Sequence, residues 1–347
     1  MNIHKIRTLE LQKKLKEIKK DALIITSLKD IFFITGFHQD RTILLLTKDK
    51  LYSFIPKMFY DHFKETTPWA DLIIYENPYD EIAKTIKELK LKDFFFDPSV
   101  TFYNEAKKFL EIGAKEYDGF IKEFRMVKKL EEFENIKKSC QIAAKAFKMI
   151  KPKIKEGVKE IEIARELEYT MQKLGAQTRS FETIIAFGSN SALPHHETSE
   201  RKLRKNEVVL MDFGCIYKRY CSDITRTFFY GKPNEEFLKV YSIVEKAQKK
   251  AISFAKEGVL SNEIDRVARD IISENGYGQY FTHGTGHGVG LEIHEEPYIN
   301  TRSSVKLKKG MTITIEPGIY LYGKFGVRIE DTICITKNKP LILTSEH

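Results

Sequence analysis

Apolar side chains at Leu11, Leu15 and Ile18 recur at helical spacing and predict an opening amphipathic helix. Short apolar runs follow at Ala22–Ile25, Thr42–Thr47, Leu51–Ile55, Leu72–Tyr75 and Phe94–Phe96, and their length predicts strands. Helical spacing returns over Tyr79–Leu89 and Tyr103–Ile112. This alternation predicts an α/β domain over residues 1–122. From Phe120 to Lys153 the positions Phe133, Ile136, Cys140, Phe147 and Ile150 share one helical face, which predicts a long helix opening a second domain, 123–347. Further helices are predicted at Ile161–Leu174, stopped by Gly175, at Glu235–Lys256, stopped by Gly258, and at Asn262–Asn275 before Gly276, with Ser261 as the cap.

Helices followed by a hairpin that carries two carboxylates occur twice in the second domain. In the first hairpin Val208–Gly214 reads as a buried strand and Cys221–Tyr230 as its partner, joined through Ile216-Tyr217-Lys218-Arg219. A turn centred between Tyr217 and Lys218 places Asp212 directly opposite Asp223. Opposed like charges among Val, Leu, Met and Phe are costly unless a cation compensates them. The second hairpin, Met311–Thr336, carries Glu316 and Glu330 at equal distances from Gly323. Between the hairpins runs His283-Gly284-Thr285-Gly286-His287-Gly288-Val289-Gly290, whose glycines let backbone approach a ligand while an imidazole is presented. Four carboxylates and one imidazole suit two divalent ions about 3.5–4 Å apart. Hard oxygen donors with one nitrogen favour Mn²⁺ or Co²⁺, with Zn²⁺ or Fe²⁺ also compatible.

Taken singly, these residues have plainer readings. An aspartate ending an apolar strand is usually a turn or cap residue, and it is the set of five that makes Asp212 a ligand candidate. Asp212-Phe213-Gly214 spells the kinase magnesium tripeptide, but no matching glycine-rich loop or phosphate-binding lysine precedes it. His294-Glu295 begins like a zinc-protease helix, yet Pro297 intervenes and position 298 is tyrosine.

The 347 residues, 42% hydrophobic and 31% charged, describe an ordinary globular chain long enough for two cores. No apolar run reaches the roughly 18 residues of a membrane span. The charged amphipathic start does not read as a signal sequence, so a cytoplasmic location is expected. Cys140, Cys215, Cys221 and Cys334 form neither a C-x-x-C pair nor a disulfide framework, which suits reduced thiols. The formal charge of +9 comes from lysines scattered over helix faces, such as Lys13-Lys14 and Lys107-Lys108, so no nucleic-acid surface is expected.

Several motifs together resemble the creatinase, prolidase and methionine aminopeptidase superfamily: Ser189 to His195, Met211-Asp212-Phe213-Gly214, Ser222 to Thr227, His283 to Gly290, Ile293-His294-Glu295, Ile315-Glu316-Pro317-Gly318 and Val327 to Asp331. The resemblance implies an α/β N-terminal domain and an α+β pita-bread catalytic domain with pseudo-twofold halves. It implies Asp212, Asp223, His287, Glu316 and Glu330 as metal ligands, and His195, His294 and Glu316 as catalytic groups. His283 stays open between a role behind the ligands and packing in the glycine loop, and Arg328 is read as an ion-pair partner. A metal-bridging hydroxide would be the nucleophile, peptides with proline second the substrates, and a homodimer the assembly. Within the superfamily the N-terminal domain points to Xaa-Pro peptidases. Many prolidases carry an arginine after His-Glu-x-Pro to grip a dipeptide carboxylate. This chain has Tyr298, which cannot make that bidentate contact unless Arg302, Arg328 or an N-domain arginine substitutes. The expectation is therefore an Xaa-Pro aminopeptidase acting on longer peptides, with the dipeptidase as alternative and a non-catalytic peptide binder as a remoter one.

Overall fold

The computed structural model describes residues 2–345, and the chain divides into two compact units, Met1–Arg125 and Met126–His347. Among the described residues no helix is long and apolar enough to cross a membrane.

In the first unit a six-stranded mixed sheet runs in the order Asp71–Ile74, Leu51–Ile55, Ile43–Thr47, Ala22–Ile25, Phe94–Phe96 and Lys115–Glu116. Every residue of Ala22–Ile25 and Ile43–Thr47 is buried, so both faces of the central strands are covered, as their uninterrupted apolar runs require. Ala22, Ile24 and Leu45 pack with Ile82, Ile86 and Phe109 from the flanking helices. Leu28–Thr35 is an additional helix between two strands, started by the Ser27 side chain and closed by Gly36 in the left-handed region.

The second unit is built from two similar halves. In the first, helices Leu130–Ile150 and Glu160–Lys173 lie with a sheet ordered Ile224–Tyr230, Glu207–Phe213, Ile184–Phe187. In the second, helices Glu235–Phe254 and Ser261–Glu274 accompany a five-stranded sheet centred on Thr312–Ile315. Each half has its own core, with Phe147, Leu167, Met211 and Phe213 in one and Val244, Ala268, Ile313 and Ile333 in the other.

The repeat reaches individual hydrogen bonds. Gly157 N donates to Leu203 O and Leu203 N to Val158 O, while Gly258 N donates to Leu307 O and Leu307 N to Val259 O. The helix that follows each glycine starts alike. Glu162 accepts from Lys159 N at 3.0 Å, and Glu263 accepts from Leu260 N at 2.8 Å. Leu260, not Ser261, is therefore the cap residue, and Ser261 is the first helical residue.

The long helix predicted over Phe120–Lys153 is two helices, Lys122–Met126 and Leu130–Ile150. Val127 bridges to Met311, Lys128 N donates to Gly310 O, and the Lys128 ammonium forms a buried ion pair with Glu295 at 2.8 Å. These contacts divert the backbone to the second hairpin, which apolar spacing alone does not register.

Candidate metal centre

Asp212 lies in strand Glu207–Phe213, and its cross-strand partner is Thr225, not Asp223. The hairpin turns at Lys218 and Arg219, both with positive φ, one residue later than the sequence suggested. Moving the centre by one residue shifts each partner by two, which keeps side chains on the same face. Asp223 therefore sits diagonal to Asp212 but shares its face. Gly214 is required here, because a Cβ would lie 1.9 Å from Ser222 O.

In the second hairpin, Ile315 pairs with Asp331 and Gly318 with Arg328, so both ladder segments are symmetric about Gly323. Glu316 and Glu330 occupy the gap between the segments. Their backbone N–H groups donate elsewhere, Glu316 to Thr285 O at 2.7 Å and Glu330 to Thr225 O at 3.2 Å. The second of these bonds joins the two halves at the site.

Asp212, Asp223 and Glu330 each offer a carboxylate oxygen within 4.8 Å of the others. His287 Nε2 lies 3.2 Å from Glu316 Oε1 and 3.6 Å from Asp223 Oδ2, so all five candidates meet. The His287 main chain is fixed by a bond from its N–H to Thr314 Oγ1. Gly286 serves this placement, because a Cβ there would lie 2.0 Å from Thr314 O. Gly286 and Gly288 thus admit neighbouring backbone, and Gly284 and Gly286 also line the cavity.

Electrostatics show what such a cluster requires. Burial, then the neighbouring carboxylates, pushes Asp223 and Glu330 well above the ordinary carboxylate range. Burial acts the same way on Glu316, but the hydrogen bond and charge of His287 outweigh it and bring Glu316 down to about 2. Burial likewise opposes a charge on His287, and the bond to Glu316 overcomes it. The group as a whole resists carrying four negative charges without a counter-charge. Among the described residues, Asp212 Oδ1 and Glu330 Oε1 are buried with no hydrogen-bond partner. Buried acceptors are normally satisfied. Unpaired carboxylate oxygens in a cluster of three acids, with an imidazole beside Asp223 and Glu316, fit divalent cations.

The remaining candidates line the same cavity, of about 720 Å³, together with the five donors. The His294 ring stands edge-on to His287, with centroids 4.3 Å apart. Burial, then the His287 charge, lowers its proton affinity. His195 is exposed in the cavity wall. His283 is half-buried in the same wall and bonds through Nε2 to the Tyr320 hydroxyl at 2.8 Å.

Arg328 does more than the sequence indicated, and its ion-pair partner is Asp212, at 2.6 Å. It also donates to Thr225 Oγ1, to the Tyr320 hydroxyl and to Pro194 O beside His195. Removing it would leave a buried carboxylate unpaired, a loss of about 3–5 kcal/mol. Glu160, absent from the sequence reading, is another buried carboxylate near the site. Nothing in its local sequence distinguishes it from the other glutamates of its helix.

Residues 134–337 match Metallopeptidase family M24, and residues 7–127 match the Creatinase/Prolidase N-terminal domain. The chain belongs to metallopeptidase family M24. Among M24-like relatives, a Xaa-Pro dipeptidase of Pyrococcus horikoshii is 40% identical over 93% of this chain and 92% of its own. The structure of a Xaa-Pro dipeptidase from Bacillus anthracis superposes with a TM-score of 0.94 at 35% identity, covering 98% of this chain and 97% of that one. An X-Pro aminopeptidase from Thermotoga maritima gives a TM-score of 0.88 at 35% identity over 97% of both chains. The M24 fold, with its creatinase-type N-terminal domain and pita-bread catalytic unit, is thus the fold of this chain.

Proposed function

We propose that this M24 peptidase is a Xaa-Pro dipeptidase that uses two divalent ions, Mn²⁺ or Co²⁺ foremost, held by Asp212, Asp223, His287, Glu316 and Glu330. The observation that carries the reading is the convergence of these five donors around buried carboxylate oxygens that lack partners. Bound ions would supply activated water and a polarised carbonyl at neutral pH. His294, kept neutral by its surroundings, is suited to donate an N–H to the oxygen that gains charge as the carbonyl is attacked. His195, exposed at the wall, is assigned to hold the substrate main chain. The prolyl nitrogen leaves as an amine and must receive a proton, which the attacking water gives up. Glu316 is assigned that transfer, with its carboxylate oriented by His287 and by Thr314 Oγ1 at 3.2 Å.

The preference for dipeptides revises the expectation drawn from Tyr298. It is supported by the dipeptidase names of the Pyrococcus and Bacillus relatives and by the higher TM-score of the latter. Tyr298 lines the cavity and offers no bidentate grip. Arg328 is committed to Asp212, and Arg302 does not line the cavity. Arg179 does line it, and because its side chain is partly exposed its ion pairs with Glu168 and Glu182 cost little to open, so recognition of the dipeptide carboxylate falls to this guanidinium. The test compares Ala-Pro with Ala-Pro-Ala in the Mn²⁺-loaded protein. The dipeptide should give the higher kcat/KM. Faster cleavage of the tripeptide would restore the aminopeptidase, and cleavage of neither would remove the peptidase reading.

A further inference from the structure

Glu160, the first residue of helix Glu160–Lys173, has no exposed surface and does not line the cavity. Its carboxylate accepts five hydrogen bonds. Oε1 takes Phe187 N at 2.7 Å and Asn190 Nδ2 at 2.9 Å. Oε2 takes His196 Nε2 at 2.9 Å, Ser199 N at 3.0 Å and Ser199 Oγ at 2.6 Å. All five donors belong to the segment 187–199, and they flank His195 on both sides. His195 itself is exposed in the cavity wall, which His283 and His294 also line.

The repeat within the catalytic unit supplies an internal comparison. Ser261 opens the matching helix, and its backbone N–H donates to Val305 O as Glu160 N donates to Arg201 O. The Ser261 hydroxyl accepts from Val305 N and bonds Ser303 Oγ, which parallels the contacts of Glu160 with Ser199. Docking this helix onto the neighbouring segment 303–305 is therefore achieved in the second half by a serine. In the first half a buried carboxylate stands in that place, despite its desolvation cost. Its additional reach goes to Phe187, Asn190 and His196, in the segment that carries His195.

We propose that Glu160 is a positioning residue for peptide hydrolysis, holding His195 in place through His196 and Asn190. The proposal rests on the peptidase reading above. Displacement of a substrate-contacting group by about 1 Å is enough for a hundredfold loss of rate.

The test is the isosteric change Glu160→Gln, which replaces one acceptor oxygen by an amide that cannot accept. It is compared with His195→Ala and with the double variant, by kcat/KM on Ala-Pro and by amide hydrogen exchange over 187–199. The expected results are bound metal equal to that of the parent, faster exchange in this segment and a drop of about 10- to 100-fold in kcat/KM, mostly in kcat. In the His195→Ala background the same change should cost no further activity. Losses that multiply in the double variant, or parental exchange and turnover in the single one, would overturn the proposal. Should Glu160→Gln not fold, His196→Phe removes one donor and should give a smaller loss with the same dependence on His195, and parental turnover there would count against the proposal. If the parent protein cleaves no Xaa-Pro peptide, the peptidase reading fails, and the exchange measurement still tests whether Glu160 holds the segment.

Discussion

Asp212 gives one carboxylate oxygen to Arg328 and leaves the other buried without a donor, while Asp223 and Glu330 face it at short range. Burial and mutual repulsion raise the proton affinity of Asp223 and Glu330, and Glu316 raises that of His287 against the effect of burial. A carboxylate or imidazole binds metal in its deprotonated form, so protons held by this group must leave when an ion enters. Affinity for Mn²⁺ should therefore increase as pH rises from about 6 to 8, with net proton release. Titration calorimetry in buffers of different ionisation enthalpy measures it, and affinity and heat that depend on neither pH nor buffer would contradict these assignments. The five candidate ligands that the structure brings together were legible in the sequence because each is an acid or imidazole set against apolar strands or glycines. Arg328 and Glu160 were not. Their importance comes from partners more than 25 residues away, such as Asp212 for Arg328 and His196 for Glu160.

The two hairpins are the elements that bring those donors together, and each was readable from turn residues flanked by apolar runs. The first was placed with its turn one residue early, because several turn geometries suit Tyr217-Lys218-Arg219, whereas period-two alternation marks only the face. The break at Val127–Lys129 depends on contacts with Gly310 and Met311 that local spacing does not reveal. The cap at Leu260 is a local bond to Glu263, but an apolar residue stands where a serine side chain ordinarily caps, so Ser261 drew the assignment one residue late. At the first hairpin Gly214 leaves no room for a methyl group against Ser222 O, which immediately precedes Asp223. Gly214→Ala should destabilise the protein by about 1–3 kcal/mol in denaturant melts. It should also weaken Mn²⁺ binding, since relieving the clash moves the Asp223 backbone. A parental melting curve with parental metal affinity would show that the close approach is dispensable.

Over the whole molecule, the fold class could be read from alternating elements and the motif resemblance. The pseudo-twofold relation emerges in detail only from paired bonds such as Gly157 with Leu203 and Gly258 with Leu307. The halves of the catalytic unit meet around the donors. Thr227 Oγ1 donates to Arg328 O at 2.7 Å, and Thr332 Oγ1 donates to Asp223 O at 2.8 Å. Carboxylates from both hairpins therefore share one charge cluster, which each half alone would leave incomplete. The most direct test is the number of Mn²⁺ ions retained per chain after equilibrium dialysis, in the parent and in the Asp223→Asn/Glu330→Gln double variant. Two ions in the parent and loss of both sites in a still-folded variant are predicted. No ion in the parent, or undiminished metal in the variant, would contradict the account.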